Sequence, residues 1–281
     1  MVELQRIETG EAKKMLGVYL APNGKDTKQV EVMKEKTKTL GDLIRTGHVK
    51  KNEAWTALTL MAMKSIEYPL SSLTLSEKEC TEIMCPLLKN FLPKAGVNRN
   101  FKRDMVYASL EKQGLGIKNP YITQGVAIIT DCIEHLWKES ITGYFIKTSL
   151  EHLRLEIGVN KEIMEEEFEL YKDIILTESW IKETWRFASE QGIKWKDGTK
   201  TIEKQRQGDR IIMEDILSLP ISKMEKKQVN RCRMYLRAFT LADITSGNGK
   251  KSQRTHGQCK EKLTEVGTYN GLNGRNHHPM K

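Results

Sequence analysis

The sequence is short of the cysteine patterns that build disulfide frameworks and zinc sites. Its five cysteines are an odd number and include no Cys-x-x-Cys pair, and Cys132 with the nearby His135 completes no set of four ligands. A disulfide-stapled secreted domain and a zinc module are therefore not expected, and we expect the thiols to be reduced.

Long apolar runs are missing as well. No stretch approaches the roughly 20 consecutive apolar residues that a bilayer-spanning helix needs, and the segment from Val2 to Glu11 is too charged for a signal peptide. We expect no membrane partner and an intracellular protein, either cytoplasmic or nuclear.

Positive charge is abundant but unevenly distributed. The 281 residues carry a net charge of +9, which favours polyanionic partners. Residues 89–118 hold seven Lys or Arg against two acidic residues, whereas residues 151–178 hold nine acidic residues against three basic ones. The basic stretch is the candidate contact surface. The acidic stretch would repel phosphates and is expected to face solvent or a basic protein surface.

Periodic apolar positions predict a mainly α fold, a helical bundle that is large enough to bury a sizeable core in one or two domains. Capping boxes at Ser76–Glu79 and Ser222–Glu225 predict two helix starts, and Pro86 is expected to kink or split the first of these helices. The apolar stripes are Val30, Met33, Thr37, Leu40 and Ile44; Ile122, Val126, Ile129, Ile133 and Leu136; Ile146, Leu150, Leu153 and Ile157, stopped by Gly158; and Val229, Cys232, Leu236 and Phe239.

Three further local predictions concern the strands and one buried helix. A short N-terminal β-hairpin is predicted from strands at Leu4–Ile7 and Met15–Leu20, joined around Gly10. A second, small hairpin is expected near 193–203, around Asp197–Gly198. The helix that carries Trp55 to Ile66 is apolar nearly all round, so we expect it to be buried and to end at Tyr68–Pro69.

Two short motifs carry a resemblance to a known family. Gln113–Gly114–Leu115–Gly116–Ile117, followed by Asn119–Pro120 and a long apolar helix, resembles the segment after the thumb in reverse transcriptases of non-LTR (LINE-type) retroelements. Lys13 to Val18 contains a Leu-Gly-Val sequence that resembles the strand after the catalytic palm of those enzymes. The two motifs occur in the order of the family, and the resemblance spans residues 3–247, although Gln113 stands where the family often has another Gly.

The resemblance and the composition together imply five regions. These are a hairpin similar to the strand pair after the palm at 1–25, a thumb-like helical region at 26–95, a basic glycine-containing hinge at 96–120, a post-thumb helical region at 121–245, and a disordered basic tail at 246–281.

Catalysis is not expected, because the sequence has no adjacent pair of aspartates to hold the two metal ions of a polymerase. In the resembled family that pair precedes the Leu-Gly-Val strand, so it would fall before residue 1. Asp209, Glu214 and Asp215 are better explained as a solvent-exposed helix start with local ion pairs, and Asp243 as a turn or cap residue. We predict no enzymatic activity and no cofactor in this chain, whereas the complete family enzyme would use Mg²⁺.

The candidate contact residues are basic side chains near aromatic ones, which could combine phosphate contact with base stacking. The alternatives are that the aromatic residues belong to the core and that the basic residues form a solvated face. The candidates are Arg99, Phe101, Lys102, Arg103, Tyr107, Lys112 and Lys118 around the hinge, and Lys226, Lys227, Arg231, Arg233 and Arg237 on one helix. The hinge itself is Gly114, Leu115 and Gly116, with Leu115 expected to fill the core, and the resemblance implies a primer-grip-like hairpin at Leu16, Gly17, Val18 and Tyr19.

The function that these features imply is a non-catalytic fragment of a reverse transcriptase that grips RNA or an RNA–DNA hybrid without sequence specificity. A separate polymerase palm is a further candidate partner. The alternative is a helical scaffold that binds another protein through its charged faces and has no role with nucleic acid.

Overall fold

The computed structural model describes residues 8–198 and 202–245. Over these residues the chain is mainly α-helical with a two-stranded antiparallel sheet near its start, which confirms the predicted fold class. The chain divides into two compact units, Met1–Lys138 and Glu139–Lys281. Residues 96–120, the predicted hinge, lie within the first unit. Among the described helices, none has the length and apolar character needed to cross a membrane.

The first unit consists of a β-hairpin followed by helices. The strands are β1 (Lys13–Met15) and β2 (Val18–Leu20). The helices are α1 (Thr27–Thr46), α2 (Lys51–Thr56), α3 (Met63–Leu70), α4 (Glu77–Lys94), α5 (Arg103–Tyr107) and α6 (Pro120–Leu136), with a π-helical stretch at Ala57–Ala62 and a 3₁₀ turn at Leu110–Lys112.

The core of this unit is built on α1 and α4. The two helices come close together at Gly41, where an added Cβ would lie 2.9 Å from the carbonyl oxygen of Pro86. The predicted stripe of α1 faces α4 and is buried at Val30, Met33 and Ile44. Helix α6 packs against α4 and α3, which joins it to this pair of helices.

Pro86 does not split its helix, and a kink at Pro86 stays a prediction. The Ser76–Glu79 capping box forms as predicted, and α4 then runs from Glu77 to Lys94 through both Pro86 and Pro93. A proline inside a helix costs about 3 kcal/mol. The burial of apolar side chains along α4, including Leu87 and Phe91, outweighs that cost.

The hairpin is shorter than predicted and is placed differently. The predicted strand from Met15 to Leu20 is broken by a turn at Leu16–Gly17, where φ is +47° and +91°. Two central residues with positive φ suit a tight two-residue hairpin, so β1 and β2 pair directly across this turn. Residues 4–7, the other predicted strand, lie outside the described residues.

The helix from α2 to α3 is not buried all round. Leu58, Ala62 and Ile66 are buried, whereas Leu60 and Met61 are about two-thirds exposed, at 66% and 64%. The helix also continues through Pro69 and ends at Leu70. Packing of one face against the bundle is sufficient to hold this helix, which leaves apolar side chains on its outer face.

The face that α6 buries differs from the predicted one. Ile129 and Leu136 of the predicted stripe are buried, but Ile122, Val126 and Ile133 are exposed. Gln124, on the opposite face, is buried and pairs with both backbone groups of Leu75: its Oε1 accepts from the amide at 3.1 Å and its Nε2 donates to the carbonyl at 3.0 Å. Because a buried amide must satisfy its polar atoms, this pairing fixes the rotation of α6.

The second unit is also helical. Its helices are α7 (Ile141–Ile157), α8 (Phe168–Tyr171), α9 (Trp180–Glu190), α10 (Ile212–Ser218) and α11 (Lys223–Leu236), with 3₁₀ turns at Ile163–Glu165 and Leu241–Asp243. The predicted stripe of α7 is buried, and Gly158 ends that helix with φ +71°, both as predicted.

The second predicted hairpin is not formed by residues 193–198 and 202–203, which are described and contain no strand. The segment contacts the 3₁₀ turn after α7 instead. The carboxylate of Asp197 accepts a hydrogen bond from the amide of Met164 at 3.2 Å, and the amide of Asp197 donates to Glu162 at 3.0 Å. The predicted tail at 246–281 lies outside the described residues.

Candidate nucleic-acid interface

The predicted hinge is a closed turn that folds back on α5. Gln113 and Gly116 both have positive φ, +59° and +66°, which turns the chain after the 3₁₀ segment. The returning backbone then donates from Leu115 to the Met105 carbonyl, from Gly116 to Ala108, and from Ile117 to Val106, at 2.9, 2.9 and 3.2 Å. These hydrogen bonds tie the whole segment into the first unit.

Gly114 is required here for close approach between backbones. A Cβ on Gly114 would lie 2.1 Å from the carbonyl oxygen of Ala108, which no side chain can tolerate without a backbone shift. Leu115, which the sequence analysis expects to fill the core, is half-buried, and the fully buried residue of the turn is Ile117.

An open groove of about 560 Å³ lies between α5 and the start of α6. Its lining is apolar at Ile122 and Val126, which the rotation of α6 leaves exposed, and aromatic at Tyr107. Polar side chains occur at Asp104, Lys118 and Asn119. The volume falls within the range of about 300–1,000 Å³ that is usual for ligand sites.

Three exposed basic side chains lie on or next to this segment of the chain. Arg99, Lys102 and Lys112 are exposed, and within the described part of the chain their side chains form no ion pair or hydrogen bond. Lys118 differs, because its Nζ lies 3.1 Å from a carboxylate oxygen of Glu67. The structure therefore leaves positive charge on this surface that no internal contact neutralises.

Arg103 and Tyr107 lie on α5 with their polar groups partly buried. The guanidinium Nη1 of Arg103 is buried and has no hydrogen-bond partner within the described residues. Burial raises the pKa of Tyr107 to about 12, against the opposing effect of the Arg103 cation. The phenol is therefore neutral at physiological pH. Phe101 is half-buried, so neither aromatic residue is purely a core residue.

The prediction that Arg233 contacts nucleic acid is wrong. Arg233 is only 3% exposed, and its guanidinium donates to the carbonyls of Leu155 and Glu156 at 2.8 and 2.6 Å and to Asn230 Oδ1. It also lies over the ring of Phe239, 5.2 Å from the centroid. Burial lowers its pKa to about 10, and the Glu156 carboxylate opposes this shift. Arg233 is a structural residue of the second unit.

The rest of α11 is only partly available for contact. Lys226 donates to the Leu217 carbonyl at 2.9 Å, and Lys227 is half-buried, while Arg231 and Arg237 are exposed. The predicted apolar stripe of this helix is half-buried, because the fully buried positions are Asn230 and Arg233. Hydrogen bonds from Arg233 to the end of α7 fix the orientation of α11.

The residues that resemble a primer grip form the tip of the hairpin. Leu16 is 92% exposed, and its carbonyl accepts from the Tyr68 hydroxyl at 2.6 Å. Val18 is buried, and the Tyr19 amide donates to Gln29 Oε1 at 2.8 Å. These contacts attach the hairpin to α1 and α3 of the first unit.

The acidic residues considered as metal ligands have other partners. Asp209 accepts from the amides of Gln205, Arg210 and Ala242. Asp243 caps the last 3₁₀ turn, as predicted. Asp215 pairs with Arg210 at 3.4 Å, which agrees with the predicted local ion pairs, but Asp209 is buried rather than solvent-exposed. Within 8–198 and 202–245, no group of three or more metal-binding side chains comes together.

The sequence does not predict the groove. Its apolar pattern predicts that Ile122 and Val126 lie in the core, and it indicates no contact role for Asp104. A signal for the correct rotation of α6 is present: Gln124–Gly125 supplies a small residue and a hydrogen-bonding side chain, which suit a close contact with a neighbouring backbone.

Comparison with protein-family models, with curated proteins and with solved structures finds no match to this chain.

Proposed function

We propose that the first unit binds nucleic acid without sequence specificity, through the basic surface formed by Arg99, Lys102 and Lys112. The observation that carries the proposal is that these three cations are exposed and have no internal partner in the described part of the chain. Phosphate groups supply the missing anions, and the release of counterions from a polyanion makes such binding favourable.

Arg103 supports the same proposal. Arg103 begins α5 next to Lys102 and is half-buried, so its guanidinium adds positive charge to the same surface. The charge-assisted hydrogen bonds that Arg makes with phosphate are among the strongest in proteins.

The resemblance of residues 3–247 to the thumb region of non-LTR reverse transcriptases directs the proposal towards RNA or an RNA–DNA hybrid. In this proposal the chain is a non-catalytic piece of such an enzyme and binds its nucleic acid. A separate palm is a further candidate partner.

The proposal is tested by titrating labelled RNA with the full chain at several salt concentrations. The wild type is compared with the Arg99→Ala/Lys102→Ala/Lys112→Ala triple variant. Each lost phosphate contact on a single strand reduces the slope of log K against log salt by about 0.7, so the slope should flatten by about 2.

A matched control removes the same charge elsewhere on the first unit. Lys25, Lys36 and Lys38 are exposed on or next to α1, and their triple Ala variant changes the net charge by the same amount. Equal losses in the two variants would show that binding follows total charge and not this surface. No binding even at low salt would reject the proposal in favour of the protein-binding scaffold.

A further inference from the structure

We infer that the groove between α5 and α6 takes an unpaired base, so that the ligand of the basic surface is single-stranded nucleic acid rather than a duplex. The inference rests on the proposed function and names the form of nucleic acid that the site prefers.

The groove lining favours a base over a phosphate. Ile122 and Val126 offer no hydrogen bonds to a phosphate, and the Asp104 carboxylate would repel it. Phosphates are therefore expected beside the basic side chains, at Lys118 in the lining and at Lys102, the N-cap residue of α5. A planar ring with an apolar face and polar edges fits the lining better.

Tyr107 supplies the surface on which such a ring would stack. Its side chain lines the groove and is half-exposed, so one part of the ring is available to a ligand while another part is held by the unit. Stacking between a base and an aromatic side chain is a common source of affinity for single strands and tolerates any sequence.

Asp104 and Asn119 give the groove polar side chains, of which Asn119 caps α6 by accepting a hydrogen bond from the Tyr121 amide at 2.9 Å. A carboxylate accepts hydrogen bonds from exocyclic amino groups, and within the described residues Asp104 forms no ion pair. A duplex keeps the faces of its bases stacked inside, so it cannot place a base face on Tyr107 in this groove.

The test measures binding of a labelled single-stranded RNA and of the same sequence as a blunt duplex, with the full chain at one low salt concentration. The variants are Tyr107→Leu, which keeps apolar bulk but removes the aromatic face, and Tyr107→Phe as its matched control. Thermal unfolding of each variant checks that the first unit remains folded.

We expect the single strand to bind at least tenfold more tightly than the duplex. Tyr107→Leu should weaken the single strand about tenfold and leave the duplex unchanged, and Tyr107→Phe should bind like the wild type. Equal binding of both forms, or a single-strand preference that survives Tyr107→Leu, would overturn the inference and leave the proposed function standing. If neither form bound, the proposed function itself would fail.

Discussion

At the scale of single residues, Arg233 is a buried cation that joins α11 to the end of α7. Its replacement by Ala would leave the carbonyls of Leu155 and Glu156 without donors. Leaving buried hydrogen-bonding groups without their partner costs about 1–3 kcal/mol. We predict that Arg233→Ala lowers the free energy of unfolding of the second unit by this amount, measured by urea denaturation.

The control for Arg233 lies on the same helix. Arg231 is exposed, so Arg231→Ala should change the free energy of unfolding by less than about 0.5 kcal/mol. Arg233→Lys should also be destabilising, because an ammonium cannot reproduce the planar set of donors. Similar stabilities for the Arg231 and Arg233 variants would contradict the assignment of Arg233 to the interior.

Asp209 gives the second unit a predicted pH dependence. Burial acts to raise its pKa, but hydrogen bonds from Gln205, Thr240, Ala242 and Arg210 outweigh burial and hold the pKa below the ordinary value of 3.8. The folded pKa is therefore lower than the unfolded one. The stability it contributes is fully present above about pH 4 and is lost as the pH falls through the folded pKa.

The test of this pH dependence is Asp209→Asn, which places an amide N–H₂ against backbone donors. We predict a loss of about 1–3 kcal/mol at pH 7. The difference in the free energy of unfolding between the variant and the wild type should become smaller as the pH falls below 3.8. Urea denaturation at a series of pH values measures it. If the difference in the free energy of unfolding stayed constant with pH, the pKa of Asp209 would be the same in the folded and unfolded states.

At the scale of elements, the turn after α5 depends on one close backbone contact. We predict that Gly114→Ala lowers the stability of the first unit by at least about 1–3 kcal/mol, because its Cβ would lie 2.1 Å from the Ala108 oxygen. The same change should weaken RNA binding, since the turn positions α5. Thermal unfolding and an RNA titration measure the two effects.

Gly10→Ala is the matched control for that substitution. Gly10 has no positive φ, and its Cβ would meet only the Asn23 side-chain nitrogen, at 3.9 Å. It should leave stability and binding nearly unchanged. If Gly114→Ala were as mild as Gly10→Ala, the turn would have more room than its backbone hydrogen bonds imply.

The sequence predicts those elements whose apolar residues occupy a single face. The stripes of α1 and α7 and the two capping boxes are examples, because burial and end-capping are local signals. It does not predict the rotation of α6, since that helix has apolar residues on two faces and the choice depends on a hydrogen-bonded contact between Gln124 and Leu75.

The candidate site is harder to predict than the fold, because it too depends on contacts between residues that are distant in the sequence. Arg233 is buried and donates to distant carbonyls, whereas Arg231 faces solvent. Both lie in the same basic segment of the sequence, so the local sequence does not distinguish them. The partners that separate the two lie about 80 positions away in the chain, at Leu155 and Glu156. Local charge density therefore identifies the basic segment around α5 but cannot tell which of its cations are free.

At the scale of the whole molecule, the acidic stretch at 151–178 and the basic residues around α5 differ in whether they have internal ion-pair partners. In the second unit, several acidic residues of the 151–178 stretch have internal partners, such as Lys161 with Glu166 at 3.0 Å and Lys182 with Glu178 at 2.7 Å. In the first unit, Arg99, Lys102 and Lys112 have none within the described residues. Arg231 and Arg237 of the second unit are also exposed, and their side chains have no partner in the described part of the chain, so the net charge of +9 does not by itself select the first unit.

The central claim is that nucleic acid contacts the surface around α5, and photochemical crosslinking tests it most directly. The full chain is saturated with a labelled single-stranded RNA, irradiated and digested, and the crosslinked peptides are identified by mass spectrometry. We predict crosslinks within residues 97–126, at Phe101 and Tyr107 above all, and few on α11. Crosslinks concentrated at residues 223–237, or none above background at saturating RNA, would contradict it.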